Sequence, residues 1–221
     1  MLTRELAMTD DLRLDRARDL LFDASGRRFD PATWSWRALD RSDPAASGEP
    51  LDAIAAIAWL QHEGSHPLRV PIGVIGPRDA TPAQLKAALG VGELLADCGL
   101  AVICGGRQGV MQAVCEGVAR NGGTSIGLLP EADPAAANPF VSVAIATGIG
   151  EARNALIARA ALCLIAIGDS LGTLSEVALG RHFGKRVFGL EGAARVEGVE
   201  HVANPREAVE RVAQTALGLP R

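Results

Sequence analysis

Between residues 70 and 190 the chain has six short and mainly apolar runs, and most of them are separated by segments with helical spacing. The apolar runs are VPIGVIG, LAVICGG, TSIGLLP, VSVAIAT, LCLIAIG and RVFGL. They lack the strict polar alternation of a half-exposed strand. Strands buried on both faces are typical of parallel sheets that helices cover on both sides. The pattern therefore predicts an α/β fold with a doubly wound, mostly parallel, Rossmann-like sheet.

The intervening segments carry the start and stop signals of helices. In TPAQLKAALGVGELLADCG, Thr81 is the predicted N-cap, Pro82 stands at the first helical position and Gly99 ends the helix. Four further helices are predicted from GVMQAVCEGVARNGG, GEARNALIARAA, LGTLSEVALGRHFGK and NPREAVERVAQTALG. Apart from the consecutive runs TSIGLLP and VSVAIAT, the predicted strands are thus separated by helices, as in a doubly wound sheet.

The composition changes near residue 68, which predicts an N-terminal helical or irregular extension over 1–67 and a Rossmann-like nucleotide-binding domain over 68–221. All three tryptophans lie in the extension. Within it, DDLRLDRARDLLFD is interpreted as an amphipathic helix and LDAIAAIAWLQ as a second, more apolar helix. Such an extension can cap the sheet domain or face a second subunit, and a ligand-binding role for its tryptophans is the remaining alternative.

Charge and cysteine usage narrow the function classes. The net charge of −4 gives no electrostatic footprint for nucleic acid or a membrane surface. No apolar run is long enough to span a membrane, and the charged N-terminus lacks the apolar core of a signal peptide, so a cytoplasmic location is expected. The four cysteines show no CxxC spacing and are predicted to be buried, reduced thiols; they are Cys98, Cys104, Cys115 and Cys163.

Ligands of open parallel sheets bind at the carboxyl ends of the strands, and there the chain has glycine-rich turns that lead into helices. The turns are GPRDATPAQ, CGGRQGVMQ, PEADPAAANP, TGIGEARN and GDSLGTLSE. Helix N-termini in such turns favour anions. None of the turns is a Walker A loop, and none has the GxGxxG spacing of dinucleotide-binding folds. A phosphate-binding edge is predicted without standard ATPase or dinucleotide chemistry.

Three segments carry a family resemblance. GGRQGVMQAVCEGVARNGGTSIGLLP, ANPFVSVAIATGIGEARN and GDSLGTLSEVALG resemble the Rossmann-type LOG superfamily. This superfamily was formerly described as lysine decarboxylase-like. It includes nucleoside 5′-monophosphate phosphoribohydrolases that release cytokinins, molybdenum-cofactor carrier-like proteins and relatives of the DNA-processing protein DprA. The resemblance runs from about residue 70 to 190 and is strongest to the carrier-like branch, through ANPF…TGIGEARN.

The hallmark PGGxGTxxE, or GGGxGTxxE in the carrier-like branch, is GDSLGTLSE here, with Gly168, Gly172, Thr173 and Glu176 retained. The resemblance implies a catalytic pair of Glu176 and Arg153. A carboxylate beside a ribose can assist N-glycosidic cleavage, and an arginine fork suits a phosphate. The nucleotide- or phosphate-binding residues are predicted to be Gly76, Arg78, Gly105, Gly106, Arg107, Gly109, Val110, Met111, Asn154, Gly168, Asp169, Ser170, Leu171, Gly172 and Thr173.

Asp169 and Ser170 replace two glycines of the hallmark. A carboxylate beside a bound phosphate costs about 1 kcal/mol or more, depending on the local dielectric. Asp169 can cap the helix and point away, can pair with Arg153 or Arg107, or can face a ligand that presents hydroxyls or a divalent ion. Side chains here also conflict with any need for positive φ or close ligand approach. We therefore expect a site that persists with a changed ligand or without catalysis.

Two metal-like patterns are weaker. His62 to His66 match HExxH, but this zinc signature works only inside a helix, and Pro67 makes helix through residue 66 improbable. Glu131 and Asp133 can hold Mg²⁺ or lie in a solvated loop. No metal ligand is assigned, and Mg²⁺ is retained only as a companion of a phosphorylated ligand.

Three functions remain open from the sequence. The first is a protein that binds a phosphorylated small molecule, either an AMP-like nucleotide or the molybdenum cofactor. The second is a nucleoside 5′-monophosphate phosphoribohydrolase, a hydrolase that releases the free base. The third is an interaction module with a vestigial pocket. The resemblance also implies a homodimer or a higher homo-oligomer.

Overall fold

The computed structural model describes residues 12–41 and 43–220, which form two sheets and six α-helices. The strands are β1 (Leu12–Asp15), β2 (Leu20–Phe22), β3 (Arg28–Asp30), β4 (Ser35–Arg37), β5 (Glu49–Leu51), β6 (Ile72–Ile75), β7 (Val102–Cys104), β8 (Ser125–Leu129), β9 (Val143–Ala146), β10 (Leu164–Ile167), β11 (Val187–Leu190) and β12 (Val199–His201). The helices are α1 (Ala53–His62), α2 (Pro82–Asp97), α3 (Val110–Arg120), α4 (Asn154–Ala160), α5 (Leu171–His182) and α6 (Pro205–Ala216). Short 3₁₀ helices span Pro134–Ala136 and Gly150–Arg153.

The larger sheet is parallel throughout, in the order β12-β11-β10-β6-β7-β8-β9. One hydrophobic core lies between the sheet and helices α1, α2, α3 and α6, and a second core packs helices α4 and α5 on the opposite face. The predicted doubly wound, Rossmann-like fold is confirmed. The strand order reverses between β6 and β10, which places a crevice at the carboxyl ends of these two strands.

Helix α2 begins and ends where its sequence signals predict. The Thr81 side chain accepts a hydrogen bond from the Gln84 backbone N–H, while the Gln84 side chain accepts one from the Thr81 N–H, which completes a capping box. Pro82 occupies the first turn, where its missing N–H costs nothing. Gly99 follows the helix at φ +70°, the left-handed conformation that glycine adopts without a Cβ penalty.

The N-terminal segment differs from its prediction. The helix expected over DDLRLDRARDLLFD is wrong, because residues 12–15 and 20–22 are strands of a five-stranded antiparallel sheet in the order β4-β3-β2-β1-β5. Leu12 and Leu14 are buried while Arg13 is exposed, a period of two that a strand satisfies. A turn at residues 16–19 separates the strands. The second predicted helix, LDAIAAIAWLQ, is confirmed as α1.

The small sheet packs as a cap on the larger domain. Leu12 and Phe29 belong to the same hydrophobic core as helices α2, α3 and α6. The Trp36 indole N–H donates to the Leu217 carbonyl at 2.6 Å, beyond the end of α6. The Phe29 ring packs edge to face against the rings of Trp34 and Trp36. The cap is thus part of the fold, while the domain boundary at residue 68 stays a prediction.

The structure also adds an element that the sequence pattern missed. Strand β12 pairs with β11 in parallel and forms one edge of the large sheet, although RVEGVEHVA lacks an apolar run. An edge strand needs less apolar character because water covers part of it. All four cysteines are free and buried, as predicted. Within residues 12–41 and 43–220, no helix combines the length and apolar character needed to cross a bilayer.

Candidate functional site

A cavity of about 630 Å³ opens at the carboxyl ends of β6, β7 and β10, where the strand order reverses. Open α/β sheets bind ligands at this position because the loops diverge there. The cavity is lined by Ile75, Gly76, Pro77, Arg78, Asp79, Gly105, Met111, Glu151, Arg153, Asn154, Asp169, Ser170, Leu171, Gly172, Thr173, Ser175 and Glu176. Both members of the predicted catalytic pair and most of the predicted binding residues therefore share one space.

The turn between β10 and α5 forms one wall of the cavity. Gly168 lies at φ +69°, the one position in this turn with left-handed backbone. Ser170 is the N-cap of α5, and its hydroxyl accepts the Thr173 backbone N–H at 3.1 Å. The Ser170 and Thr173 hydroxyl oxygens lie 2.8 Å apart. The first N–H groups of α5 thus point toward the cavity, where the helix dipole favours an anion.

The two residues that replace hallmark glycines fit this turn without backbone strain. Neither Asp169 nor Ser170 has a positive φ, so the conformational objection to side chains at these positions is wrong. Asp169 does not cap the helix, because Ser170 does. Within the described part of the chain, Asp169 forms no ion pair with Arg153 or Arg107. Its side chain is exposed and lines the cavity.

Glu176 and Arg153 form a buried ion pair in the cavity wall. Their side chains are 8% and 5% exposed, and the Arg153 Nη1 lies 3.2 Å from the Glu176 Oε1. Burial raises the pKa of the Glu176 carboxyl to about 7, against the opposing charge of Arg153, and nearby Glu151 adds to the rise. The carboxyl is therefore poised to exchange a proton near neutral pH.

Asn154 connects this ion pair to helix α5. Its side-chain oxygen accepts a hydrogen bond from Arg153 Nη1, and its Nδ2 donates to the Ser175 Oγ at 3.0 Å. The Ser175 hydroxyl donates in turn to the Gly172 carbonyl at 2.7 Å. This chain of hydrogen bonds fixes the start of α4 against the first turn of α5. Asn154 therefore holds the site together, and its predicted contact with a nucleotide or phosphate stays a prediction.

Two glycines allow the strand ends to approach each other closely. A Cβ at Gly105 would lie 2.5 Å from the Arg153 Nη2 and 2.7 Å from the Met111 Sδ. A Cβ at Gly76 would lie 2.6 Å from the Ile167 carbonyl oxygen. Side chains at either position would force the cavity floor apart. The role of these two glycines is therefore steric. The glycine-rich turns predicted close approach here, but not the residues that approach.

Some predicted binding residues lie outside the cavity lining: Gly106, Arg107, Gly109, Val110 and Gly168. Arg107 forms an ion pair with Glu131 on the neighbouring β8 turn, and its carbonyl accepts the Asn138 Nδ2 at 3.0 Å. The Val110 N–H donates to the Pro77 carbonyl at 3.1 Å. These residues shape the turns that support the cavity. A direct phosphate contact from Arg107 stays a prediction.

The lining also holds acidic residues that the sequence analysis missed as site residues. Asp79 follows Arg78 in the first turn, and Glu151 precedes Arg153 by two positions, so both were close to predicted residues. The charged groups of the lining are the cations Arg78 and Arg153 and the acids Asp79, Glu151, Asp169 and Glu176. Cations do not dominate this site. Anion attraction rests on the α5 N-terminus and the arginines, while the rim suits hydrogen-bond donors.

The HExxH pattern does not form a helical zinc motif. Helix α1 ends at His62, and Glu63 is its C-cap, as the sequence predicts. The His62 Nε2 lies 2.9 Å from the Asp97 carbonyl oxygen, and the His66 Nδ1 lies 2.9 Å from the Ser65 hydroxyl. The two histidines thus point to different partners. Among the described residues, no group of three His, Cys, Asp or Glu side chains is placed to hold a metal ion.

The two acidic residues considered for Mg²⁺ have structural partners. Glu131 pairs with Arg107. The Asp133 carboxylate accepts the Ala135 N–H at 2.9 Å and caps the 3₁₀ helix at Pro134–Ala136. Both carboxylates therefore stabilise the loop after β8.

Fold and cavity together define a Rossmann-type protein with a ligand crevice at its topological switch point. The chain belongs to the SLOG cluster4 family, which it matches over residues 69–217. It is 38% identical over 138 residues to an uncharacterised protein of Archaeoglobus fulgidus, covering 62% of this chain and 91% of the relative. The superfamily resemblance is thereby confirmed.

Solved structures of similar chains include two proteins of molybdenum-cofactor binding. The molybdenum cofactor binding protein of Rippkaea orientalis is 36% identical, with a TM-score of 0.63, and covers 66% of this chain and 96% of its own. The Moco carrier protein of Chlamydomonas reinhardtii is 34% identical at the same TM-score, covering 68% of this chain and 100% of its own. DNA processing protein A of Streptococcus pneumoniae shares the fold alone. It is 18% identical, with a TM-score of 0.53, and the match covers 63% of this chain and 60% of its own.

Proposed function

We propose that this protein binds a phosphorylated pterin of the molybdenum-cofactor type in the cavity at the switch point. The observation that carries the proposal is the composition of the cavity. One wall offers a helix N-terminus and a buried arginine, and the rim offers carboxylates. The names of the similar Rippkaea and Chlamydomonas proteins support a pterin cofactor as the ligand class. A volume of about 630 Å³ lies in the range of small-molecule and cofactor sites.

The phosphate end of such a ligand fits the α5 side of the cavity. The N–H groups of Leu171 and Gly172 have no carbonyl partner in the first helical turn, and Thr173 brings a hydroxyl to the same place. Arg78 is exposed at the opposite rim and has no ion pair in the described part of the chain. A phosphate here therefore gains the helix dipole, and the exposed Arg78 adds a cation to the same cavity.

The pterin end fits the acidic rim. The pyrimidine ring of a pterin presents an amino group and a ring N–H on one edge, and a carboxylate can accept from both. Asp79 and Asp169 line the cavity, are exposed, and carry no ion pair within residues 12–41 and 43–220. The replacement of a hallmark glycine by Asp169 thus serves recognition of hydrogen-bond donors. When bound, the group supplies a redox-active molybdenum centre, while this chain's own residues hold it and shield it.

Retention of molybdopterin under anaerobic conditions tests the proposal. The purified chain is incubated with molybdopterin, with and without molybdate, and separated by gel filtration; bound pterin is then oxidised and measured by fluorescence. We expect stoichiometric retention. Asp169→Asn should weaken it about tenfold or more, since hydrogen bonds to charged groups contribute about 1.5–3 kcal/mol. Asp40→Asn, at a side chain 82% exposed and outside the cavity, is the matched control.

No pterin in the protein fraction would contradict the proposal. Equal retention by the Asp169→Asn and Asp40→Asn variants would contradict the role given to the acidic rim. Mg²⁺ added alongside the ligand should leave retention unchanged, because no carboxylate cluster in the described residues is built to hold the ion.

A second candidate function is hydrolysis of a nucleoside 5′-monophosphate, and the Glu176–Arg153 pair favours it. A carboxyl with a pKa of about 7 beside a cavity is suited to general acid–base chemistry. Incubation with AMP, followed by chromatography for free adenine, tests this activity. If the chain is the hydrolase, Glu176→Gln abolishes base release. If it only binds, no adenine forms and Glu176→Gln changes molybdopterin retention by no more than a few fold.

The interaction-module alternative requires a surface on the N-terminal sheet. Trp34 and Trp36 both donate indole N–H groups to carbonyls of the fold, of His66 and Leu217, so their polar ends are already occupied. Deleting residues 1–67 would uncover the shared core rather than isolate a partner site. Partner capture by the intact chain, compared with an Arg13→Glu surface variant, is therefore the appropriate test of this alternative.

We also propose that the chain forms a homo-oligomer. Strand β9 is the edge of the parallel sheet, and Val143, Ala144 and Ile145 are all exposed on it. The segment from Pro134 to Gly150 contains no charged residue. Edge strands in isolated proteins are normally guarded by charges, bulges or a covering element, and β9 has no charge of its own. A second copy of this chain would cover it.

A further inference from the structure

Two buried cysteines lie in contact directly behind the cavity. Cys104 is the last residue of β7, and Cys115 lies in the second turn of α3. Their sulfur atoms are 3.5 Å apart, and neither residue is exposed to solvent. The other two cysteines lie near the amino ends of the strands, opposite the carboxyl ends where the cavity opens. Cys98 caps the end of α2, and Cys163 directly precedes β10.

The environment of the two sulfurs makes them chemically unequal. The hydrogen bond between them lowers the pKa of the Cys115 thiol to about 7 and raises that of Cys104. The Gly106 N–H donates to the Cys104 sulfur at 3.4 Å and offsets only part of the rise at Cys104. Burial raises the pKa of Cys98 and of Cys163 to about 12. A thiolate is the reactive form of cysteine, so reactivity concentrates at the Cys104–Cys115 contact.

Each of the two cysteines is close in sequence to a residue that lines the cavity. Gly105, which follows Cys104, touches the Arg153 guanidinium across the cavity floor. Met111 lies one helical turn before Cys115 and also lines the cavity. A small neutral oxidant in the cavity is therefore next to Gly105, the neighbour of Cys104, and to Met111, one helical turn from Cys115.

We propose that Cys104 and Cys115 are a redox-active pair, which a peroxide converts to a disulfide that changes the shape of the ligand cavity. The Cys115 thiolate attacks a peroxide oxygen, the O–O bond breaks, and a sulfenic acid and water result after proton uptake. The Cys104 sulfur then attacks the sulfenic sulfur and releases a second water. In total, two thiols and one hydrogen peroxide give one disulfide and two waters.

Disulfide formation brings the two sulfurs together beside the cavity floor. A disulfide bond is about 2.05 Å long, so the two sulfurs approach by about 1.5 Å. Gly105 has no room to follow without displacing Arg153, because even a Cβ there would lie 2.5 Å from Nη2. We expect the movement at Cys104 to reach Gly105 and the adjoining Arg153–Glu176 pair, and so to weaken binding in this cavity. This last step rests on the proposed function, whereas disulfide formation does not.

Thiol counting and mass spectrometry test the pair itself. The reduced, folded chain has four cysteines, and we expect hydrogen peroxide to leave two free thiols and to lower the mass by two hydrogens. Proteolytic mapping should place the link between Cys104 and Cys115. Cys163→Ser should form the same link, while Cys115→Ser should not. Four free thiols after treatment, a link between other cysteines, or sulfinic acid without a disulfide would each overturn the proposal.

Molybdopterin retention by the reduced and the oxidised chain tests the coupling to the cavity. We expect retention to fall at least tenfold on oxidation, to return with dithiothreitol, and to stay high in peroxide-treated Cys115→Ser. Equal retention by both forms would overturn the coupling. If neither form retains molybdopterin while the disulfide forms, the proposed function fails and the redox pair stands. The two failures are therefore distinguishable.

Discussion

At the scale of single residues, Glu176 is the most deeply buried carboxyl of the site. Its folded pKa of about 7 lies above the ordinary value of 4.5, so the fold favours the protonated carboxyl. This contribution to stability is fully present below about pH 4.5 and is lost as pH rises through about 7. Arg153 offsets part of the burial cost but does not remove it.

We predict that the free energy of unfolding falls between pH 5 and pH 8 in the wild-type chain by up to about 3 kcal/mol more than in Glu176→Gln, from the size of the pKa shift. Urea unfolding at several pH values measures the difference. Glu197→Gln, at an exposed carboxylate, is the control and should follow the wild type. Parallel curves for the wild type and Glu176→Gln would contradict the raised pKa.

The sequence predicted some residues of the site but not the contacts between them. Arg153 and Glu176 were predicted from the family resemblance and both line the cavity, whereas Gly168, predicted from its glycine-rich turn, lies outside the lining. That Arg107 pairs with Glu131 could not be predicted, because the two residues lie on turns after different strands. Their contact depends on β7 and β8 being neighbours in the sheet, which no local pattern encodes.

At the scale of elements, the N-caps of α2 and α5 have the same chemistry and different surroundings. Thr81 caps α2 outside the cavity lining, and Ser170 caps α5 within it. We predict that Thr81→Ala and Ser170→Ala each lower the free energy of unfolding by about 1 kcal/mol, the usual contribution of an N-cap side chain. Only Ser170→Ala should also weaken molybdopterin retention.

Chemical denaturation together with the anaerobic retention assay separates these effects. Equal loss of retention in both variants would show that stability alone limits binding. Unchanged retention in Ser170→Ala would contradict the placement of the phosphate at the α5 N-terminus.

The elements themselves were predictable where periodicity and punctuation agree. Helix α2 has its N-cap, Pro82 and Gly99 in the predicted places, since each acts through local backbone chemistry. The segment DDLRLDRARDLLFD misled because its charged residues fit an amphipathic helix as well as a hairpin. The alternation of Leu12, Arg13 and Leu14 was the signal for a strand, but three residues are too few to outweigh a longer helical pattern.

At the scale of the whole molecule, the exposed edge strand β9 gives the homo-oligomer its test. We predict that light scattering finds a multiple of the 23.0 kDa chain mass. Ile145→Lys, which places a charge on the 44% exposed β9 side chain, should dissociate the assembly. Leu85→Lys, at a comparably exposed leucine on α2, should leave it intact. A wild-type chain that scatters as a 23.0 kDa species would contradict the oligomer.

The sequence by itself determined the class of sheet and the edge at which the cavity opens, because apolar periodicity and turn glycines act over a few residues. Only the tertiary structure decided the strand order, and with it the switch point between β6 and β10. The same holds for the partners across the site: Arg153 with Glu176, and Cys104 with Cys115. Such pairs are set by packing between distant segments, whose free energy depends on the assembled core and not on local pattern.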